Sequence, residues 1–135
     1  LEFTLRFFAY VDKYKNFDHS VRDFLNDYMS ENRDIDETKQ NSMKQEFANV
    51  LSFVENYFPA GFKKTITAKS TPRVRFESLA VGAALALREV PDLVPKNLDW
   101  LSSEEFKRLT TSDGANSRVK VIERIEYVRD KLLED

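Results

Sequence analysis

With 135 residues, 33% of them charged and a formal net charge of −2, the chain is sized for one domain. Its bulk charge argues neither for nor against nucleic acid. The absence of cysteine excludes disulfides and thiolate chemistry and fits a reducing, cytoplasmic setting. No signal peptide is visible and no run of about 20 apolar residues occurs, so no membrane partner is expected.

The chain opens without Met and already in helical phase. It reads as a single helical domain over 1–135, a fragment of a longer protein. Residues 1–14 have helical spacing, with Leu1, Leu5, Phe8 and Val11 on one face and Phe7 widening it. A turn at 15–19 follows. Ser20 is placed as an N-cap with Asp23 three residues on, and Val21, Phe24, Leu25, Tyr28 and Met29 form the next stripe. Asp36 is expected to cap a long helix running to about Tyr57, with Met43, Phe47, Val50, Leu51, Val54 and Phe58 inward. Pro59 and Gly61 end it.

Residues 62–70 fit a short helix, an extended stretch or a loop. Thr71 is a candidate cap and Pro72 suits a first helical turn. The segment that follows, VRFESLAVGAALAL over 74–87, organises the chain. It is apolar nearly all round from residue 79, the pattern of a helix at the centre of a packed domain. Gly82 costs that helix about 1 kcal/mol relative to alanine, which predicts close approach by another helix. Pro91 and Pro95 bracket a linker, and Leu98, Trp100 and Leu101 are placed to plug it to the body. Ser102 with Glu105 reads as a capping box for a short helix with Phe106 and Leu109 inward. The loop TTSDGANS leaves Gly114 free to take positive φ. The last helix, 118–133, turns Val121, Ile122, Ile125, Val128 and Leu132 inward. The expected fold is all-α, a compact orthogonal bundle of about six helices around a central apolar helix over 73–89.

The inventory for catalysis is thin. One histidine and no cysteine remove most metal-ligand patterns and the Cys–His dyad. His19 reads as a turn histidine rather than a base. Three scattered glycines form no phosphate loop. Asp23, Asp27 and Glu31 lie four apart on one helix face, and a solvated acidic row accounts for them better than a metal site does. No catalytic, cofactor-binding or metal residue is assigned, and no cofactor is expected.

The basic residues are less evenly spread. Between 56 and 76 stand Lys63, Lys64, Lys69, Arg73 and Arg75 with no acid, interleaved with Thr65, Thr67, Ser70 and Thr71. Cations and hydroxyls leading into a helix N-terminus suit phosphate contact. Lys107, Arg108, Arg118 and Lys120 make a smaller group. The alternative is ordinary charge segregation, or pairing with residues 1–40, which carry nine acids against six bases. Most phenylalanines fall on core stripes, leaving Tyr10, Tyr14 and Phe62 as candidate stacking platforms.

Three segments, LEFTLRFFAYVDKYKNFDHSVRDFLNDYM, RFESLAVGAALAL and FKRLTTSDGANSRVKVIERIEYVRDKL, together resemble the helical C-terminal part of DUF262 proteins, relatives of GmrSD-type restriction endonucleases. In that family the corresponding part follows a ParB-like domain, and some members carry an HNH nuclease region. Neither signature falls on any residue of this chain, so no family catalytic residue carries over. Arg6, Phe7, Phe8, Phe24, Leu25 and Asn26 match the recurrent pattern, with Arg6 and Asn26 free to buttress the missing domain or to stay at the surface. The resemblance implies a helical accessory part of a DNA-restriction or phage-defence protein. Its partners would be other domains of the parent chain and DNA. A purely protein-binding module is the rival expectation.

Overall fold

Helix α4 (Arg73–Glu89) is the axis on which the other helices pack. In the computed structural model, which describes residues 2–18, 20–111 and 117–134, every residue from Arg75 to Ala84 is buried. The sequence makes this possible. Alanines at 80, 83, 84 and 86 and Gly82 give the helix a thin wall, so neighbours approach its backbone closely. The most extensive packing is against α6 (Arg118–Leu133), then α1 (Glu2–Lys13), then α3 (Glu37–Tyr57). Helix α2 (Val21–Glu31) leans on α1, and α5 (Glu104–Leu109) leans on α6. Among the described residues there is no strand, and the fold is the all-α bundle around residues 73–89 that the hydrophobic pattern predicts.

Side-chain caps set most helix starts. Ser20 accepts from the Asp23 amide at 3.2 Å, Asp36 from Lys39 at 2.8 Å, and Ser117 from Lys120 at 3.3 Å. Each satisfies one of the amides that a helix start leaves without an intrahelical partner. Two starts differ from expectation. Pro72 itself takes the N-cap position of α4, with no capping side chain, so Thr71 does not cap. The cap of α5 is Ser103, not Ser102: its hydroxyl oxygen accepts from the Phe106 amide at 3.1 Å, and a 3-10 turn at Asp99–Ser102 absorbs the residue before it. Ser103→Ala is therefore expected to lower stability by about 0.5–2 kcal/mol, and Ser102→Ala to leave it within about 0.5 kcal/mol, read from urea denaturation midpoints.

Three apolar faces are rotated from their sequence-predicted positions. In α1 the fully buried residues are Phe7, Ala9 and Tyr10, while Leu5 and Phe8 are half-buried. In α3, Phe53 is buried beside Val50 and Val54, and Leu51 is exposed. In α2, Tyr28 is buried and Met29 is 48% exposed. Tyr10, Tyr14 and Phe62 are not free platforms. Tyr10 is tilted against Phe24 at 4.9 Å, Tyr14 is buried, and Phe62 rests on Phe76 at 4.8 Å. Residues 62–70 run as turns and bends. Trp100 plugs the linker as expected, edge-on to Phe58 and Phe106, and its indole N–H donates to the Asn97 carbonyl at 3.0 Å. His19 and Gly114 lie outside the described residues.

Candidate phosphate-binding surface

The 56–76 segment puts its five cations in different settings. Pro59 and the left-handed Gly61 (φ 62°) turn the chain out of α3. Lys63 is then half-buried and Lys64 exposed on the turn, Lys69 and Arg73 are exposed, and Arg75 is buried in the first turn of α4. Lys63, Lys64 and Arg75 converge on one cavity of about 230 Å³, which Leu98, Asp99, Leu101 and Ser102 also line. Lys69 and Arg73 do not line it.

Arg75 is the unusual member. It is 6% exposed, and its Nε is sealed with no hydrogen-bond partner. Its guanidinium lies over the Phe106 ring at 5.1 Å, a cation–π distance. Burial pulls its pKa down, yet a guanidinium stays protonated in proteins. The cavity therefore holds a fixed positive charge that no carboxylate pairs with among the described residues. The fork of an arginine matches the oxygens of a phosphate in a way a lysine cannot.

The second basic group does not join this cavity. Arg108 reaches Glu105 at 3.0 Å and Glu123 at 3.5 Å, so α5 and α6 already engage its charge. Lys107, Arg118 and Lys120 are exposed and none of them lines the cavity. Asp23, Asp27 and Glu31 are exposed on α2. No group of three His, Cys, Asp or Glu that could hold a metal ion occurs among the described residues, and none of their helices is long and apolar enough to cross a membrane.

A second polar cluster was not visible in the sequence. Arg6 of α1, Glu77 of α4 and Arg124 of α6 meet in the core at 8%, 2% and 1% exposure. Arg6 donates a short hydrogen bond to Glu77 Oε1, and Arg124 Nη2 donates to Oε2 at 3.3 Å. The two arginines share one carboxylate, which ties three helices in register. Arg6 is thus buried against Glu77 and does not lie at the surface, whereas Asn26 is exposed. Beside the cluster, the Tyr10 hydroxyl is sealed without a hydrogen-bond partner, and burial, then the Glu77 charge, pushes its pKa up. In the 3-10 turn Tyr14–Asn16 that follows α1, the Tyr14 hydroxyl donates to Glu126 at 2.6 Å, and burial followed by that hydrogen bond pushes its pKa up to about 12. With the ion triad enclosed by packed helices, the cavity at Arg75 is the better candidate for contact with another molecule. Comparison of the chain with protein-family models, with curated proteins and with solved structures found no match.

Proposed function

We propose that this chain is a non-catalytic, cytoplasmic helical accessory domain of a DNA-restriction or phage-defence protein of the DUF262 type. In this reading it packs against a nucleotide- or DNA-handling domain and contacts nucleic-acid phosphates through the 63–75 segment. The observation that supports contact is the convergence of Lys63, Lys64 and a buried, unsalted Arg75 on one cavity. Lys69 and Arg73 extend the positive surface along the same stretch of chain. The mechanism is electrostatic positioning: each phosphate neutralised releases counterions, so affinity falls as salt rises.

The test is fluorescence anisotropy with a single-stranded oligonucleotide. With two to four phosphates engaged, a log–log slope against salt of about −1.4 to −2.8 is expected at about −0.7 per phosphate. The double variant Lys63→Gln/Lys64→Gln should flatten that slope by about 1.4 if each lysine neutralises one phosphate, and weaken binding across sequences alike. Binding that ignores salt, or no binding at all, refutes phosphate contact.

A second reading, a module that binds only other domains of its parent protein, is favoured by a different surface. Leu5, Phe8, Met29, Ile35 and Met43 line an apolar groove of about 320 Å³ where α1, α2 and α3 meet. Methionines suit an adaptable docking surface. The two readings separate cleanly, because Met29→Lys would disturb domain association and leave the oligonucleotide slope unchanged.

A further inference from the structure

The cavity at Arg75 is shaped for one compact group. Its volume of about 230 Å³ lies below the roughly 300–1,000 Å³ of pockets that enclose whole drug-sized ligands. Its walls carry three cations, Lys63, Lys64 and Arg75, against one carboxylate, Asp99. The surplus of two positive charges matches a phosphate monoester, which carries about −1.5 to −2 at pH 7; a phosphate inside a strand carries a single charge. An internal phosphate is also flanked by sugars on both sides, whereas a terminal one can enter a cavity end-on.

Recognition here falls to side chains. The turn amides of Gly61 and Lys63 are already bonded to the Phe58 and Ala60 carbonyls at 3.0 and 3.1 Å. Arg75 is more than nine-tenths buried, and its guanidinium makes no hydrogen bond or ion pair among the described residues. A desolvated cation without an anionic partner is costly to the fold, and an oxyanion in the cavity would supply one. Ser102, an exposed residue that also lines the cavity, adds a hydroxyl donor.

We propose that this cavity receives the terminal phosphate monoester of a nucleic-acid strand, with the buried Arg75 guanidinium gripping its oxygens and Lys63 and Lys64 closing over it. The proposal rests on the phosphate-contact reading above and makes it specific to strand ends. Asp99 tempers the site, and its removal should tighten it.

The test compares three otherwise identical single-stranded DNA oligonucleotides: one with a 5′-phosphate, one with a 3′-phosphate and one with hydroxyls at both ends. A phosphorylated end is expected to raise affinity about tenfold or more, the scale of hydrogen bonds to charged groups. Inorganic phosphate should compete that gain away and shift the Gly61 and Ser102 amide resonances. Arg75→Met, which keeps the stack on Phe106, should erase the gain, and Asp99→Asn should enlarge it. Lys63→Gln/Lys64→Gln changes a half-buried and an exposed turn residue outside the helices and should also erase the gain, so the test stands even if Arg75→Met fails to fold. Equal binding of all three oligonucleotides overturns the strand-end proposal while leaving the nucleic-acid reading intact. An end preference that survives both variants, or phosphate-induced shifts with no end preference, also overturns it. No binding of any oligonucleotide overturns the nucleic-acid reading and this proposal together.

Discussion

Glu77→Ala is expected to destabilise the fold by about 3–5 kcal/mol, the cost of removing one partner from a buried ion pair. Glu77 is 2% exposed and serves two guanidiniums at once, Arg6 from α1 and Arg124 from α6. Truncating it takes from both buried cations the carboxylate they share, and water cannot readily replace it at 1% and 8% exposure. Glu77→Gln tests the charge apart from the shape. It keeps an acceptor oxygen but leaves two like charges facing each other, so it should also be strongly destabilising. The triple variant Arg6→Met/Glu77→Leu/Arg124→Met is expected to lie much closer to the parent, because well-packed apolar replacement of a buried ion network is often neutral or stabilising by about 1–4 kcal/mol. Urea denaturation of the three variants reads these differences directly. A loss below about 1 kcal/mol for Glu77→Ala would show that the triad does not hold the three helices together.

That triad also marks where sequence reading stops. The bounds of α3 were legible because local signals agree there: a capping side chain, a 3.6-residue apolar period and a stop signal; the extents of α4 and α6 were legible from their apolar pattern. Arg6, Glu77 and Arg124 gave no local signal. Each is a charged residue, and charge in a single sequence reads as a marker of the surface. Their partnership spans separations of 71 and 47 residues and exists only once α1 and α6 pack on α4. The exchange of Leu51 for Phe53 has a related cause. On a helix with apolar residues at 50, 51, 53 and 54, rotation by a fraction of a turn selects which of them is buried, and the neighbouring helices decide it. Ser102 and Ser103 are adjacent and equally suited to cap, and the 3-10 turn through Trp100 settles the choice.

The candidate site was half legible. The acid-free run of cations from Lys63 to Arg75 could be read from charge alone, but its division could not. Lys63, Lys64 and Arg75 meet at a cavity because the turn at Gly61 folds the chain back toward the start of α4, while Lys69 and Arg73 stay outside it. Arg108 looked equivalent in the sequence. Glu105 one turn before it and Glu123 on α6 engage it, and the second of these is a tertiary partner.

Gly82→Ala is expected to destabilise the protein by about 1–3 kcal/mol, against the direction that helix propensity predicts. Alanine in mid-helix is favoured over glycine by about 1 kcal/mol. A methyl group at position 82, however, would stand 2.5 Å from both Cβ and Cγ1 of Val128 and 2.9 Å from the Ile125 carbonyl oxygen. Neither Val128 Cβ nor a backbone oxygen can rotate away, so α4 and α6 would have to separate, and overpacking of this kind typically costs about 1–3 kcal/mol. The same seam carries Ile125 and Val128, both fully buried, so separation would loosen the largest helix contact in the fold. Val128→Ala in the Gly82→Ala background separates the causes. It removes Cγ1 but leaves Cβ and the Ile125 oxygen in place, so it should not restore stability. A shortfall in urea midpoint that Val128→Ala does not recover, with an unchanged denaturant slope, is the expected result. Stabilisation by Gly82→Ala would mean that the seam yields and that glycine is not required for the approach of α6.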